Sequence, residues 1–329
     1  MNPPRKIVVL TPVKNEAWIL PLFLQSASIW CDYILIADQN STDGSKEIAL
    51  KFPKVVLIEN NSDDLDEDKR NHLIVEKARE LVGTDGIFFR LDADEFLTPN
   101  FDSTELDAIR QSERGTMWRF RWIMINKNLS SCWEMPKWNV FGAFVDDGST
   151  YSPHGLMHNR ELFPPKKKCY AKELCVLHFQ FVDWNRMRSK HIWYQCFERI
   201  NFPQKSAIDI YRIYHWMYNP NIQYKSIPKE WFEVYKEKYN IDLHDYKVEN
   251  HYWWDDKVNE YFEKYTPRFF RRIETCRQKE LSHAEGKSLL DKILLLYLRK
   301  TTRTYNRKSG FLYHIVKKTD AVLKRLCKL

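Results

Sequence analysis

The feature that most constrains this chain is an alternation, through residues 6–91, of short apolar β-branched runs with stretches of helical period. Lys6–Leu10, Tyr33–Ala37, Val55–Glu59 and Gly86–Leu91 read as strands, and Ala17–Trp30, Ser45–Phe52 and Asp68–Val82 as helices between them. Runs that are apolar throughout suit strands covered on both faces. The spacing therefore predicts an α/β fold: a Rossmann-like, mostly parallel sheet with helices on both faces. Polar clusters at 11–16, 38–43 and 92–95 fall at strand ends. Ligands of such sheets sit beyond the carboxyl ends of the strands, so the three clusters are expected to form one site.

Farther along, Met117–Ile125 reads as a strand and 126–180 as irregular, with Pro, Gly and charge clusters. From Asn185 the pattern is helical: Arg186–Ile200, Pro203–Tyr218, Pro228–Tyr239, Asp255–Tyr265 and Leu289–Leu298, then a break at Ser309-Gly310 and a basic helix to the end. Aromatics make up 15% of the chain, with 12 Trp and 17 Tyr. Such rings suit sugar faces or a lipid interface, and a bulky core accounts for them equally well. The net charge of +8 is uneven: residues 287–329 carry +10 and the rest −2. A body near neutrality offers no extended phosphate track, so no nucleic-acid partner is expected. Seven irregularly spaced cysteines without a CxxC pair indicate neither a disulfide framework nor a zinc site, and a cytoplasmic protein is expected. The opening apolar run is too short for a signal peptide, and no stretch is long enough to span a membrane.

Asp92 and Asp94 flank Ala93 at a strand end, where carboxylates suit a divalent ion on a diphosphate. Acids that favour a helix N-terminus are the alternative. Asp38, with Asn40, Ser41 and Asp43, can accept from a ribose hydroxyl or a base N–H. An Asx turn capping the helix at Ser45 explains Ser41 and Asp43. Thr11-Pro12-Val13-Lys14-Asn15-Glu16 can frame a base or simply start the next helix. Arg70, behind the acidic run Asp63–Asp68, is either a charge-assisted donor to a diphosphate or a helix-surface arginine.

Taken in order, Thr11–Glu16, Asp38–Gly44 and Leu91–Glu95 resemble the motifs of family 2 glycosyltransferases with the GT-A fold. The chain is most similar to bacterial enzymes that add sugars to lipopolysaccharide cores and surface polysaccharides. The resemblance covers residues 5–100 strongly and 115–200 weakly. It implies that Thr11, Pro12, Val13 and Glu16 line a base pocket and Asp38 holds the nucleoside. By the same resemblance Asp92 sits near the ribose and Asp94 ligates Mg2+ or Mn2+; Asn40, Arg70 and Ala93 are counted in the nucleotide-sugar site by their positions. It also implies inversion by a single displacement with a carboxylate base, placed 80–95 residues past the metal motif. Glu173 is the first choice, Asp183 the second, and Asp146 and Asp147 are outsiders. Lys172-Glu173 stands where the related enzymes commonly carry a His-Glu pair. His178, between apolar neighbours, is either a core residue or a further metal ligand.

The expected organisation is a transferase domain over 1–200, a helical aromatic-rich acceptor-side region over 201–285 and a basic amphipathic tail over 286–329. In the tail, Leu289, Leu290, Ile293, Leu294 and Leu298 line one face beside Lys292, Arg299 and Lys300. Such a helix suits an anionic membrane surface, the inner face of the cytoplasmic membrane, where a lipid-linked glycan acceptor would lie. Packing against the body is the alternative. Two rival functions remain. A sugar-1-phosphate nucleotidyltransferase would need a Gly-rich phosphate loop, and Thr11–Glu16 has no glycine. A noncatalytic carbohydrate- or membrane-binding adaptor would not need the acidic motif.

Overall fold

The computed structural model describes residues 4–61, 66–127, 129–135, 140–151, 161–273 and 287–326. In chain order the elements are β1 (Ile7–Val13), α1 (Leu20–Trp30), β2 (Tyr33–Asp38), α2 (Ser45–Ala49), β3 (Val55–Glu59), α3 (Glu67–Val82), β4 (Ile87–Arg90) and β5 (Glu95–Leu97). Then come α4 (Thr104–Gln111), β6 (Thr116–Asn126), β7 (Ser131–Glu134), β8 (Val140–Val145) and β9 (Lys167–Phe181). They are followed by α5 (Trp184–Asn201), α6 (Ala207–Ile213), a 3-10 turn at Trp216–Tyr218, β10 (Lys225–Ser226), α7 (Glu230–Tyr239), α8 (Trp253–Phe269), α9 (Leu289–Asn306) and α10 (Phe311–Leu326). The chain forms two compact units, 1–182 with 224–248, and 183–223 with 249–329.

The first unit has the expected α/β architecture. Strands β3, β2, β1 and β4 run parallel in that spatial order, and β8 continues the sheet antiparallel to β4. Alternate residues of β1 explain the two faces. Ile7, Val9 and Val13 join Leu20, Phe23, Leu24 and Trp30 of α1 in one buried cluster. Val8 and Leu10 join Ile74, Val75 and Ala78 of α3 in another. A central strand thus needs apolar side chains at every position, which is why its sequence shows no alternation. Helix α3 begins where the Asp66 side chain accepts from the Lys69 N–H, and it ends at Gly83, whose φ is 74°.

The described residues within 126–180 are more regular than the sequence suggests. Strand β6 pairs with β8 and then β7 along one edge, and runs parallel to the 15-residue β9 along the other. Gly142 is required where β8 crosses β6, because a Cβ there would lie 1.9 Å from the Phe120 ring. Strand β9 escaped notice because its first half is exposed and lysine-rich, and only Leu174–Phe179 is continuously buried. The first unit is closed by α7, whose buried Tyr235 hydroxyl lies 2.7 Å from the Ser26 hydroxyl and donates to the Leu97 carbonyl at 2.6 Å.

The second unit is helical throughout its described residues. Helices α6 and α9 share a core of Ile208, Tyr211, Leu294, Leu295 and Leu298. Arg212 on α6 is 5% exposed and makes a two-point pair with Asp320 on α10 at 3.0 and 3.1 Å, and it also donates to Thr301 on α9. Helices α5 and α8 meet through Trp193 and Trp253, packed edge to face at 5.0 Å, with the Arg186 guanidinium 4.8 Å from the Trp254 ring centre. No helix among the described residues is long and apolar enough to cross a membrane.

Candidate active site

The parallel register sets the site. Val13 of β1 pairs with Asp38 of β2, and Leu10 with Arg90 of β4, so the three polar clusters leave the sheet at the same carboxyl edge. Two left-handed asparagines turn the chain there: Asn15 at φ 54° and Asn40 at φ 51°. Asparagine tolerates this region because its short amide bonds locally. The first two loops are stitched together by side chains. The Asn15, Glu16 and Ala17 N–H groups donate to Ser41, Ser45 and Asp43 at 2.9, 2.9 and 2.8 Å. Thr42 N–H returns a bond to Asn15 at 2.7 Å. Ser41 and Asp43 therefore build the loop, as the Asx-turn reading has it.

Within this edge, Thr11 and Asp38 lie on the face that α1 covers, 0% and 4% exposed. Asp38 Oδ2 accepts from the Ser41 N–H at 3.1 Å, while Asp38 Oδ1 and Thr11 Oγ1 are buried without hydrogen-bond partners. Most buried polar atoms are paired, so two orphans near the carboxyl ends of neighbouring strands are candidates to meet a polar ligand. Pro12 is half-buried and Val13 buried, shaping the floor. The half-buried Glu16 accepts from the Trp18 indole at 2.5 Å, and Asn40 is exposed at the rim.

The acidic segment does not open a helix. Asp92–Glu95 is a tight turn, closed by Glu95 N–H to Asp92 carbonyl and by Asp92 N–H to the fully buried Glu95 carboxylate, both at 3.0 Å. The turn leads into β5, and β5 pairs with β9 so that Glu95 stands opposite His178. Asp94 is thereby brought to His178, with Oδ2 3.4 Å from Nε2, and its carbonyl accepts from the Phe179 N–H at 2.9 Å. The His178 ring is held by Trp122 of β6, stacked at 4.9 Å and 10°. His178 Nδ1 is buried without a partner. Asp92 points elsewhere, to Arg90, which is 3% exposed and donates at 2.8 Å. Ala93 is buried between the two aspartates.

Arg70 sits on α3 with its side chain 12% exposed, 3.7 Å from Glu67; it is not a solvated surface residue. The acidic run before it lies partly outside the described residues, which resume at Asp66. Near the start of the same helix, Tyr151 donates to Asp68 at 3.0 Å, and burial followed by that carboxylate pushes its hydroxyl up to about 12.

The expected bases are placed differently. Glu173 is exposed on β9, five positions upstream of His178, in a bulge whose three N–H groups, Lys172 to Leu174, all donate to Glu105 of α4. Asp183 caps α5, accepting from the Asn185 and Arg186 N–H groups with one oxygen and the Tyr252 hydroxyl with the other. Asp146 is fully buried in a two-point pair with Arg79, and Asp147 pairs with Lys166. The sequence reading missed Arg90 and Trp122, and it gave Glu95 no role beyond its place in the motif. A charged residue inside an apolar strand was the available signal for Arg90.

No family model matches the chain, and no curated protein matches it. Several solved structures resemble part of it. Glucosyl-3-phosphoglycerate synthase from Mycobacterium tuberculosis, in complex with Mn2+, UDP and glucosyl-3-phosphoglycerate, is 18% identical over 36% of this chain and 44% of its own, with a TM-score of 0.27. A 4-diphosphocytidyl-2C-methyl-D-erythritol synthase is 17% identical over 28% and 48%, at 0.22. HddC from Yersinia pseudotuberculosis is 9% identical over 43% and 74%, at 0.27. The match spans less than half the length of the first two. The likeness is local, and the functional reading rests on the geometry of the site.

Proposed function

We propose that this chain is a glycosyltransferase of the family 2 type. It would move a sugar from a nucleotide-sugar donor, a UDP-sugar, to a hydroxyl of a glycan or lipid-linked glycan acceptor. The observation that carries the reading is the convergence, at one sheet edge, of two orphaned buried oxygens with the Asp94–His178 pair. In this reading Thr11 and Asp38 take the base and ribose of the nucleoside. Asp92, steadied by Arg90, faces the ribose, and Arg70 balances diphosphate charge.

Mg2+ or Mn2+ fits the donor set. A carboxylate oxygen and an imidazole nitrogen 3.4 Å apart can share one ion, and Trp122 fixes the imidazole plane. No group of three or more His, Cys, Asp or Glu stands ready among the described residues, so the other ligands would be diphosphate oxygens and water. Bound there, the ion offsets the charge that develops on the departing diphosphate. Acceptor deprotonation needs a desolvated carboxylate with an available oxygen. Exposure deprives Glu173 of the first and capping deprives Asp183 of the second, so we assign no base.

Helices α9 and α10 add a place of work. Leu294, Leu295 and Leu298 are buried in the second unit, but Leu289, Leu290 and Ile293 are exposed at 74%, 76% and 53%, as is Phe311 at 79%. Lys292, Lys300, Lys317 and Lys318 are exposed on the same two helices. The combination suits peripheral attachment to an anionic membrane.

Thermal shift with a panel of nucleotide sugars, each with Mg2+ or Mn2+, tests the reading by linkage. Metal-dependent stabilisation by at least one donor is expected, and its absence across the panel would end the proposal. Release of nucleoside diphosphate rather than pyrophosphate separates transfer from nucleotidyl chemistry. Slow donor hydrolysis without acceptor separates an enzyme from an adaptor.

A further inference from the structure

The second unit holds a cavity of about 300 Å³ that the transfer reading leaves unused, between α5, α6, the 3-10 turn and α9. Its wall carries three arginines, Arg188, Arg299 and Arg303, and no carboxylate. Arg188 already donates to the Trp184 carbonyl and the Asn185 side chain, and together with Arg299 and Arg303 it gives the space a positive potential that suits an anion. Gln195 supplies an independent sign. It is 2% exposed, its Nε2 donates to the His191 carbonyl at 3.2 Å, and its Oε1 has no hydrogen-bond partner. A buried amide oxygen on a cavity wall is an acceptor for a ligand hydroxyl. Of the tyrosines in the lining, Tyr218 is exposed at 37% and offers a flat face, while Tyr211 is buried and already stacked on His215 at 3.7 Å. Rings of this kind cover the C–H face of a sugar. The volume lies at the small end of ligand pockets and matches one ring with a charged substituent.

We propose that this cavity binds an anionic sugar, a single ring carrying a phosphate or carboxylate. The arginines hold the anion, and Gln195 Oε1 accepts from a ring hydroxyl. The proposal draws on the transferase reading only in taking that ring as part of a glycan. A bare phosphate would satisfy the arginines but would leave Gln195 unanswered, which separates the two occupants.

The test is calorimetric titration of the full chain, without nucleotide or metal, against glucose 1-phosphate, glucuronate, glucose and inorganic phosphate. Both charged sugars should bind, with glucose and phosphate each about tenfold weaker or worse. Replacing the exposed pair, Arg299→Ala with Arg303→Ala, should weaken glucose 1-phosphate about tenfold and leave metal-dependent UDP binding intact. Gln195→Met should erase the preference of glucose 1-phosphate over phosphate; if that buried change unfolds the chain, the arginine pair alone decides. Three results overturn the proposal: no binding of either charged sugar, phosphate binding as tightly as glucose 1-phosphate, or indifference to the arginine pair. UDP binding, read separately, reports on the donor site whichever way these come out.

Discussion

As proposed, the donor edge of the first unit and the cavity of the second would handle ligands by opposite means. The edge is acidic and held by short side-chain-to-backbone bonds, with turns at Asn15, Asn40 and Asp92 setting Asp38 and Asp94 at fixed strand ends. The cavity is basic and built by side chains, from helices joined through Arg212 and the α6–α9 core. A site that shares an ion with a ligand needs negative charge held rigidly, because coordination tolerates little misplacement. A site that grips an anion directly needs positive charge, and long arginines can adjust to it. One chain that keeps both must hold the two charges in separate places, and this one assigns each to its own unit.

The sharpest way to break that division is Asp94→Asn. Transfer should fall on the order of 10³-fold, with loss of metal-dependent donor binding, while glucuronate still binds the cavity. A variant that also lost glucuronate would show the sites to be one. The reverse experiment is Arg212→Ala, which strands the buried Asp320. Unfolding of the second unit should become easier by about 3 kcal/mol. Hydrogen exchange should show the loss in α6, α9 and α10, with β1 and β4 unchanged.

A smaller effect comes from pH. Burial works to raise the Asp147 carboxyl, but Lys166 and Ser149 outweigh it and hold it at about 2, below its ordinary 3.8. A depressed carboxyl stabilises the fold above its unfolded value and loses that contribution as pH falls toward the folded one. Between pH 4 and 2 the first unit should therefore lose about 1 kcal/mol, since the lysine is largely exposed. Lys166→Met should flatten this part of a urea-midpoint profile, and an unchanged profile would remove Asp147 from the account. Smallest of all, Glu173→Gln should alter kcat less than about twofold, because an exposed side chain offers little desolvation. A drop beyond a hundredfold with normal donor affinity would restore it as the base.

Legibility followed the range of the interactions. The gathering of polar clusters at one sheet edge was readable because each cluster is local: Thr11–Glu16, Asp38–Gly44 and Leu91–Glu95 follow strands whose apolar runs are visible in the chain. Their convergence followed from the parallel pattern alone. The partner of Asp94 was harder to see, since His178 arrives through β5–β9 pairing and Trp122 through β6–β9. Strand β9 was hidden because its first half is exposed and lysine-rich, and the bulge there is pinned by Glu105, far upstream. The cavity was invisible for the same reason, with Arg188 and Arg299 meeting only through the packing of α5, α6 and α9. Helix α7 was seen as a helix, but nothing local marks it as part of the sheet unit.

Tyr235 carries a consequence in time. It meets Ser26 across 209 residues of sequence, and the whole stretch 183–223 intervenes before the first unit is complete. On the ribosome, the nascent sheet would wait with α1 and the β5 end uncovered until α7 emerged. Contacts of such separation slow the search for the native state. The interval before α7 docks is when a chaperone has most to bind, and when exposed strand edges are most at risk of joining those of another copy.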